Sequence, residues 1–176
     1  MLSYVWELPF GRGKHYLSSA PKAIDLILGG WQVNGITTFA TGQPLAVTNS
    51  VPTTSGANRP HSVGRSAKKS GSVTDRLNEY FDKTAFTAPG PFEFGSAPRT
   101  LPDIRGDGAR NFDLSLFKGF STTERIHMQF RAEFFNIFNT PRFAEPNGAF
   151  GTSQFGTVTS QVNNPRDIQL ALRLSF

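Results

Sequence analysis

The last ten residues constrain the fold more than any other stretch. Across 167–176 (DIQLALRLSF), Ile168, Leu170, Leu172, Leu174 and Phe176 alternate with Asp167, Gln169, Ala171, Arg173 and Ser175. A period of two means a strand with one oily and one polar face. Ten residues also match the span of about 9–11 that a tilted strand needs to cross a bilayer.

The pattern recurs upstream. Ile126, Met128, Phe130, Ala132 and Phe134 alternate with Arg125, His127, Gln129, Arg131 and Glu133, which predicts a strand over 125–138 closed by Asn139, Thr140 and Pro141. Before it, 111–118 (NFDLSLFK) places Phe112, Leu114 and Leu116 on one side. The short polar connection 119–124 makes these two strands a hairpin. A further strand is expected over 30–41, with Trp31, Val33, Thr37 and Phe39 on one face and a bend or close packing at Gly35. Another is expected over 2–10, with Tyr4, Trp6, Leu8 and Phe10 aligned. Pro21 opens and Gly29 closes a short helix between them. Asp75 to Phe81 suggests a helical turn. The expected strands are therefore 2–10, 30–41, 111–118, 125–138 and 167–176, joined by two long loops, 43–109 and 140–166.

Composition agrees with this reading. Apolar residues make up 38% and charged residues 18%, while Gly (17), Pro (12) and Phe (17) are abundant. Soluble globular chains carry about 45–50% apolar and about 25% charged residues. The profile suits short strands and long polar loops. The net charge of +5 raises nucleic acid as a partner, but the cations are dispersed; the nearest cluster, Arg65, Lys68 and Lys69, reads as a solvated loop, and no nucleic-acid partner is expected. There is no cysteine, so disulfides, thiolate metal sites and thiol catalysis are absent. His15, His61 and His127 have no metal spacing, no Gly-x-Ser-x-Gly elbow occurs, and Gly11-Arg12-Gly13-Lys14 lacks the spacing of a phosphate loop. No enzyme activity, cofactor or metal is expected. Arg105-Gly106-Asp107 reads as turn chemistry.

No stretch of about 18 apolar residues is present to form a spanning helix, and residues 1–6 lack the features of an export signal. Met1 is read as the start of a fragment or of a mis-assigned gene. Connections alternate in length: 11–29 moderate, 43–109 very long, 119–124 short, 140–166 long. Outer-membrane barrels have short periplasmic turns and longer extracellular loops. With the C-terminus in the periplasm, both long loops lie outside the cell; the moderate 11–29 segment fits less well. Aromatics gather near strand ends (Trp6, Phe10, Trp31, Phe39, Phe134, Phe135, Phe138, Phe176), as in the girdles of such barrels. A soluble β-sandwich module shows the same alternation, and so does a porin-like channel; both stay open on pattern alone.

Four segments carry a more specific likeness. GGWQVNGI at 29–36, NFDLSLFK at 111–118, RAEFFNIFN at 131–139 and IQLALRLSF at 168–176 resemble, in order, strands of the Oar-like TonB-dependent receptors best known from Acidobacteria. The likeness implies a receptor with a regulatory-like domain, a plug and a barrel of about 22 strands. It makes this chain an all-β, antiparallel, up-and-down transmembrane barrel segment of about five strands, an incomplete barrel in the bacterial outer membrane. Implied partners are outer-membrane lipid, the rest of the barrel and the plug, TonB indirectly, and the barrel-assembly machinery. For that machinery the signal would be Ile168, Leu170, Leu172, Leu174 and Phe176. Arg125, His127, Arg131 and Glu133 are the lumen-facing candidates, with a charge ladder between neighbouring strands as the plainer reading of those charges.

Overall fold

A computed structural model of the chain describes residues 1–121 and 126–176. In chain order its elements are β1 (Leu2–Glu7), α1 (Lys22–Leu28), β2 (Trp31–Ala40), β3 (Thr48–Asn49), β4 (His61–Ser62), β5 (Phe86–Thr87), β6 (Ala109–Ser121), β7 (His127–Phe135), β8 (Ala149–Phe150) and β9 (Asp167–Ser175). Two 3-10 turns lie at Thr74–Arg76 and Lys83–Ala85. The chain is mostly β rather than purely β, and it divides into two compact units.

The first unit comprises Met1–Phe39, Arg110–Thr140 and Asn164–Phe176. Its five strands form one antiparallel sheet in the order β1-β2-β6-β7-β9, the order in which they occur along the chain. The sheet is not closed; β1 and β9 are its edges.

Strand β1 stops at Glu7, short of the expected 2–10. Pro9 has no N–H to give to β2, and its carbonyl accepts from Tyr16 N instead (2.9 Å). Phe10 turns back onto Tyr16, with ring centroids 5.6 Å apart. Strand β7 stops at Phe135, short of 138. Asn136 has φ of 50°, a left-handed conformation that asparagine tolerates better than most residues. Its N–H donates to Asp113 Oδ1 (2.9 Å) and its Oδ1 accepts from Thr140 N (2.9 Å). Its amide nitrogen donates to the Thr140 and Asn164 carbonyls (3.3 and 3.1 Å). Strand β6 is longer than expected at both ends. It runs into the connection read as 119–124, and the rest of that connection, with Arg125, lies outside the described residues.

Gly35 is a site of close packing. It stands directly opposite Tyr4, whose ring covers it; a Cβ there would lie 2.2 Å from Tyr4 Cζ. An aromatic over a strand glycine restores the contact area that the missing side chain gives up. Helix α1 has Pro21 as its N-cap and Gly29 as its C-cap, the arrangement expected from those two residues.

The second unit, Ala40–Ala109 with Pro141–Asn163, corrects the expectation of a single long connection over 43–109. It has its own core: Leu45, Val47, Ala67, Tyr80, Phe81, Ala85, Phe86, Ala97, Leu101, Ile104 and Phe155. Phe81, Phe86 and Phe155 meet edge to face at 5.1–5.9 Å, a geometry worth about 0.5–1.5 kcal/mol per pair beyond area burial. The two long loops build this core jointly. Strands β3 and β8 pair in parallel, Tyr80 N donates to the Gly156 carbonyl (2.8 Å), and Val158 N donates to that of Leu77 (2.7 Å). Arg105-Gly106-Asp107 ties the loops together. The Arg105 carbonyl accepts from Tyr80 Oη (2.8 Å) and Asp107 Oδ2 from Phe143 N (2.9 Å). A Cβ on Gly42 would lie 1.8 Å from the Gly106 carbonyl oxygen.

Candidate functional site

Residues directly opposite one another on neighbouring strands project from the same face of a sheet. Leu114–Phe134–Ile168, Leu116–Ala132–Leu170 and Phe120–Met128–Leu174 are such rows across β6, β7 and β9. On β1 and β2, Leu2–Thr37 and Trp6–Val33 are facing pairs. The ring contact of Phe39 with Phe112 (5.5 Å) joins the two halves of the face. Most of the oily residues of the sheet thus share one side, while Val5, Ile36 and Phe117 stand on the other. The aligned residues do not form a core: Ile168, Leu170, Leu172 and Leu174 are all exposed, Leu172 by 65%. Phe176 is 98% exposed at the end of the chain. All five residues read as the terminal signal therefore sit at or just beyond the open edge strand.

His127, Arg131 and Glu133 project from the opposite side, with Gln129, Ser115, Gln169 and Arg173. Arg125 lies outside the described residues. Among the described residues the ion pairs are Lys14–Glu7, His61–Glu93, Arg65–Asp82 and Lys69–Glu79, and none includes Arg131 or Glu133. The Arg131 guanidinium instead stacks over Phe117 (5.0 Å to the ring centroid) and donates to Gln129 Oε1 (2.7 and 2.9 Å). Phe117, directly opposite Arg131, is the partner that a reading by oily periodicity passes over, because it is the aromatic on the polar side. At one end of the sheet, Gly119, His127, Gln129, Arg173 and Ser175 line an open recess of about 390 Å³.

Two aromatic bands bracket the oily face. At one end Phe39, Phe112 and Phe138 meet edge to face (5.5 and 5.1 Å). At the other, Lys118 Nζ lies 4.9 Å from the Trp31 ring centroid and 5.0 Å from that of Phe120. Phe120 lies eight positions along β6 from Phe112, about 27 Å at ~3.4 Å per residue. Lys118 is a charge within the oily row of β6, opposite Phe130; Arg110 stands in the same row at the other end of the strand. Lys118 is only 4% exposed and donates to the Gly29 carbonyl. A lysine held at strand-end depth among aromatics is the arrangement of a membrane boundary.

The second unit offers surface polar clusters but no comparable site. Arg65 and Lys69, read as solvated, are paired with Asp82 and Glu79 at 2.8 Å each. The Asp82 carboxyl is held below its ordinary range by hydrogen bonds from Thr84 and by Arg65. That of Glu93 is held down by Gly90 N–H and His61. Burial pushes the Tyr80 phenol up. Among the described residues no group of His, Asp and Glu is arranged to hold a metal ion.

A sheet with one largely oily face, one mostly polar face and aromatic bands at both ends has the pattern of the wall of a lipid-embedded barrel. The family model described as an outer membrane beta barrel domain matches residues 1–169. The chain belongs to that family. It is accordingly a transport-related protein of the bacterial outer membrane. No curated protein and no solved structure matches the chain.

Proposed function

We propose that this outer-membrane chain is the C-terminal part of a TonB-dependent receptor barrel of the Oar-like kind, supplying wall strands and outer loops to a pore for substrate uptake. The observation that carries the reading is the open five-stranded sheet. Unpaired backbone groups facing lipid cost several kcal/mol each, and known single-chain barrels begin at about eight strands. These strands therefore need others to complete the wall. The four segments that resemble the Oar-like receptors fall on β2, β6, β7 and β9, and the loops that follow β2 and β7 are long enough to fold together, as large receptor barrels allow.

In this reading β9 runs toward the periplasm and the loop unit faces the cell exterior. His127, Arg131 and Glu133 look into the pore, with the Arg131–Phe117 stack as a rigid cationic feature of its wall. Strand β9 is the segment read by the assembly machinery, by addition to an open edge in which main-chain bonds give affinity and alternate side chains give specificity. The plug and the contact with TonB belong to the rest of the receptor.

The coding sequence upstream of residue 1 tests the assignment. In-frame plug and regulatory-like domains are the expected result; strands for a small barrel without a plug would replace it with a porin-like channel. Removing Phe176 from the complete protein is expected to lower its surface level severalfold in a whole-cell labelling assay. Unchanged levels would remove the assembly role.

A further inference from the structure

Helix α1 presents a second surface that needs a covering. Its seven residues bury none of their side chains, and helices this short are not stable in water on propensity alone. Ile24, Ile27 and Leu28, spaced i, i+3, i+4, form one oily face and are exposed, Ile27 by 66%. Asp25, on the other face, accepts from Arg12 N (2.7 Å).

The placement of the helix is set from the lipid side of the sheet. Trp31 Nε1 donates to the Ile27 carbonyl (2.8 Å) and Lys118 Nζ donates to the Gly29 carbonyl. Both side chains rise from the oily face, at its aromatic band. The helix is thus tied to the rim of a surface that meets acyl chains. Beside it lies a recess of about 840 Å³ whose lining includes Arg12, Lys22, Leu26, Phe120 and Met128, cations and apolar groups together.

We infer that α1 is an interfacial helix that seats phospholipid of the leaflet at the periplasmic end of the barrel. Ile24, Ile27 and Leu28 enter the acyl boundary, and Lys22 and Arg12 stand at the depth of the lipid phosphate. Apolar area plus attraction between basic side chains and phosphate is what holds such helices in an interface. Only the choice of leaflet rests on the orientation proposed above.

The chain has no cysteine, so single thiols can be introduced into it once any cysteine elsewhere in the complete protein is replaced by serine. The complete protein carrying Ile27→Cys, or Leu28→Cys as a second variant, is labelled with an environment-sensitive fluorophore and placed in phosphatidylethanolamine–phosphatidylglycerol nanodiscs. A phospholipid spin-labelled just below its headgroup is expected to quench it about twofold more than a label at Thr54→Cys, with the reverse order for iodide. Iodide quenching equal to that at Thr54→Cys would overturn the inference, and so would protection from both quenchers, which would mean a protein covering. On whole cells, an impermeant maleimide is expected to modify Thr54→Cys and spare Lys22→Cys. The opposite pattern would overturn the orientation and the leaflet while leaving the lipid contact at position 27 in place.

Discussion

Leu172 and Phe81 show how differently the two units of this chain treat their oily residues. Leu172 on β9 is 65% exposed, whereas Phe81 in the loop unit is 0% exposed. In the sheet unit, apolar side chains are aligned by strand period and left bare on one side. In the loop unit they come from scattered positions and close on each other. The difference lies in the solvent each unit is built for. A lipid-facing wall gains nothing from hiding its leucines, because acyl chains solvate them. A water-facing loop unit must bury its own phenylalanines at about 25 cal/mol per Å² of apolar area removed from water.

The largest expected effect is on the chain expressed alone in detergent-free buffer. It should aggregate, because an oily face and two unpaired edges are both exposed. A soluble monomer that melts cooperatively would erase the contrast between the units. Next is Phe81→Ala in the complete protein, which should destabilise the loop unit by about 3–5 kcal/mol. Limited proteolysis should then cut within 43–109 while the strands stay protected. Leu172→Arg should cost about 2–4 kcal/mol if that position lies near the bilayer midplane, as measured by urea unfolding in lipid vesicles. By contrast, Lys68→Arg at an exposed position of the loop unit should leave stability unchanged. Gly35→Ala comes next, at about 1–3 kcal/mol, since the added methyl meets the Tyr4 ring and overpacks it.

The smallest effect is that of pH on the loop unit. The lowered carboxyls of Asp82 and Glu93 contribute stability that is present above the unfolded carboxylate range. It is lost as pH falls through their lowered folded values. The raised phenol of Tyr80 acts at the other limit: its contribution is full below the ordinary tyrosine range and is lost as pH rises through the raised value. A protease-susceptibility profile against pH should therefore open at both ends. A profile open only at the alkaline end would remove the roles of Asp82 and Glu93.

The sheet was legible in the sequence because lipid exposure enforces alternation residue by residue. The rows ending in Ile168, Leu170 and Leu174 can be read from period alone, as can the stop at Gly29. The early ends of β1 and β7 were less visible, because Pro9 and Asn136 act through single backbone groups. Lys118 was hidden by its neighbours: it occupies an oily register position and is tolerated only because Trp31, Phe120 and the Gly29 carbonyl receive it. The loop unit was illegible for a different reason. Leu45, Val47, Phe81, Ile104 and Phe155 follow no period, and its paired strands are two residues long. Its core exists only once distant positions have met. For the candidate site, the side on which His127, Arg131 and Glu133 lie was apparent; the stacking of Arg131 on Phe117 depends on register, which no single strand encodes.

Phe155 reaches the core of the loop unit from the segment between β7 and β9, and that has a consequence for how the chain folds. The 43–109 stretch cannot complete its core by itself: it lacks a central ring until the segment that follows β7 folds onto it. Once Phe155 docks, the slack between β7 and β9 is taken up, and the entropy lost in bringing the last strand alongside its neighbour shrinks. Completion of the loop unit and the pairing of β9 with β7 are thereby coupled.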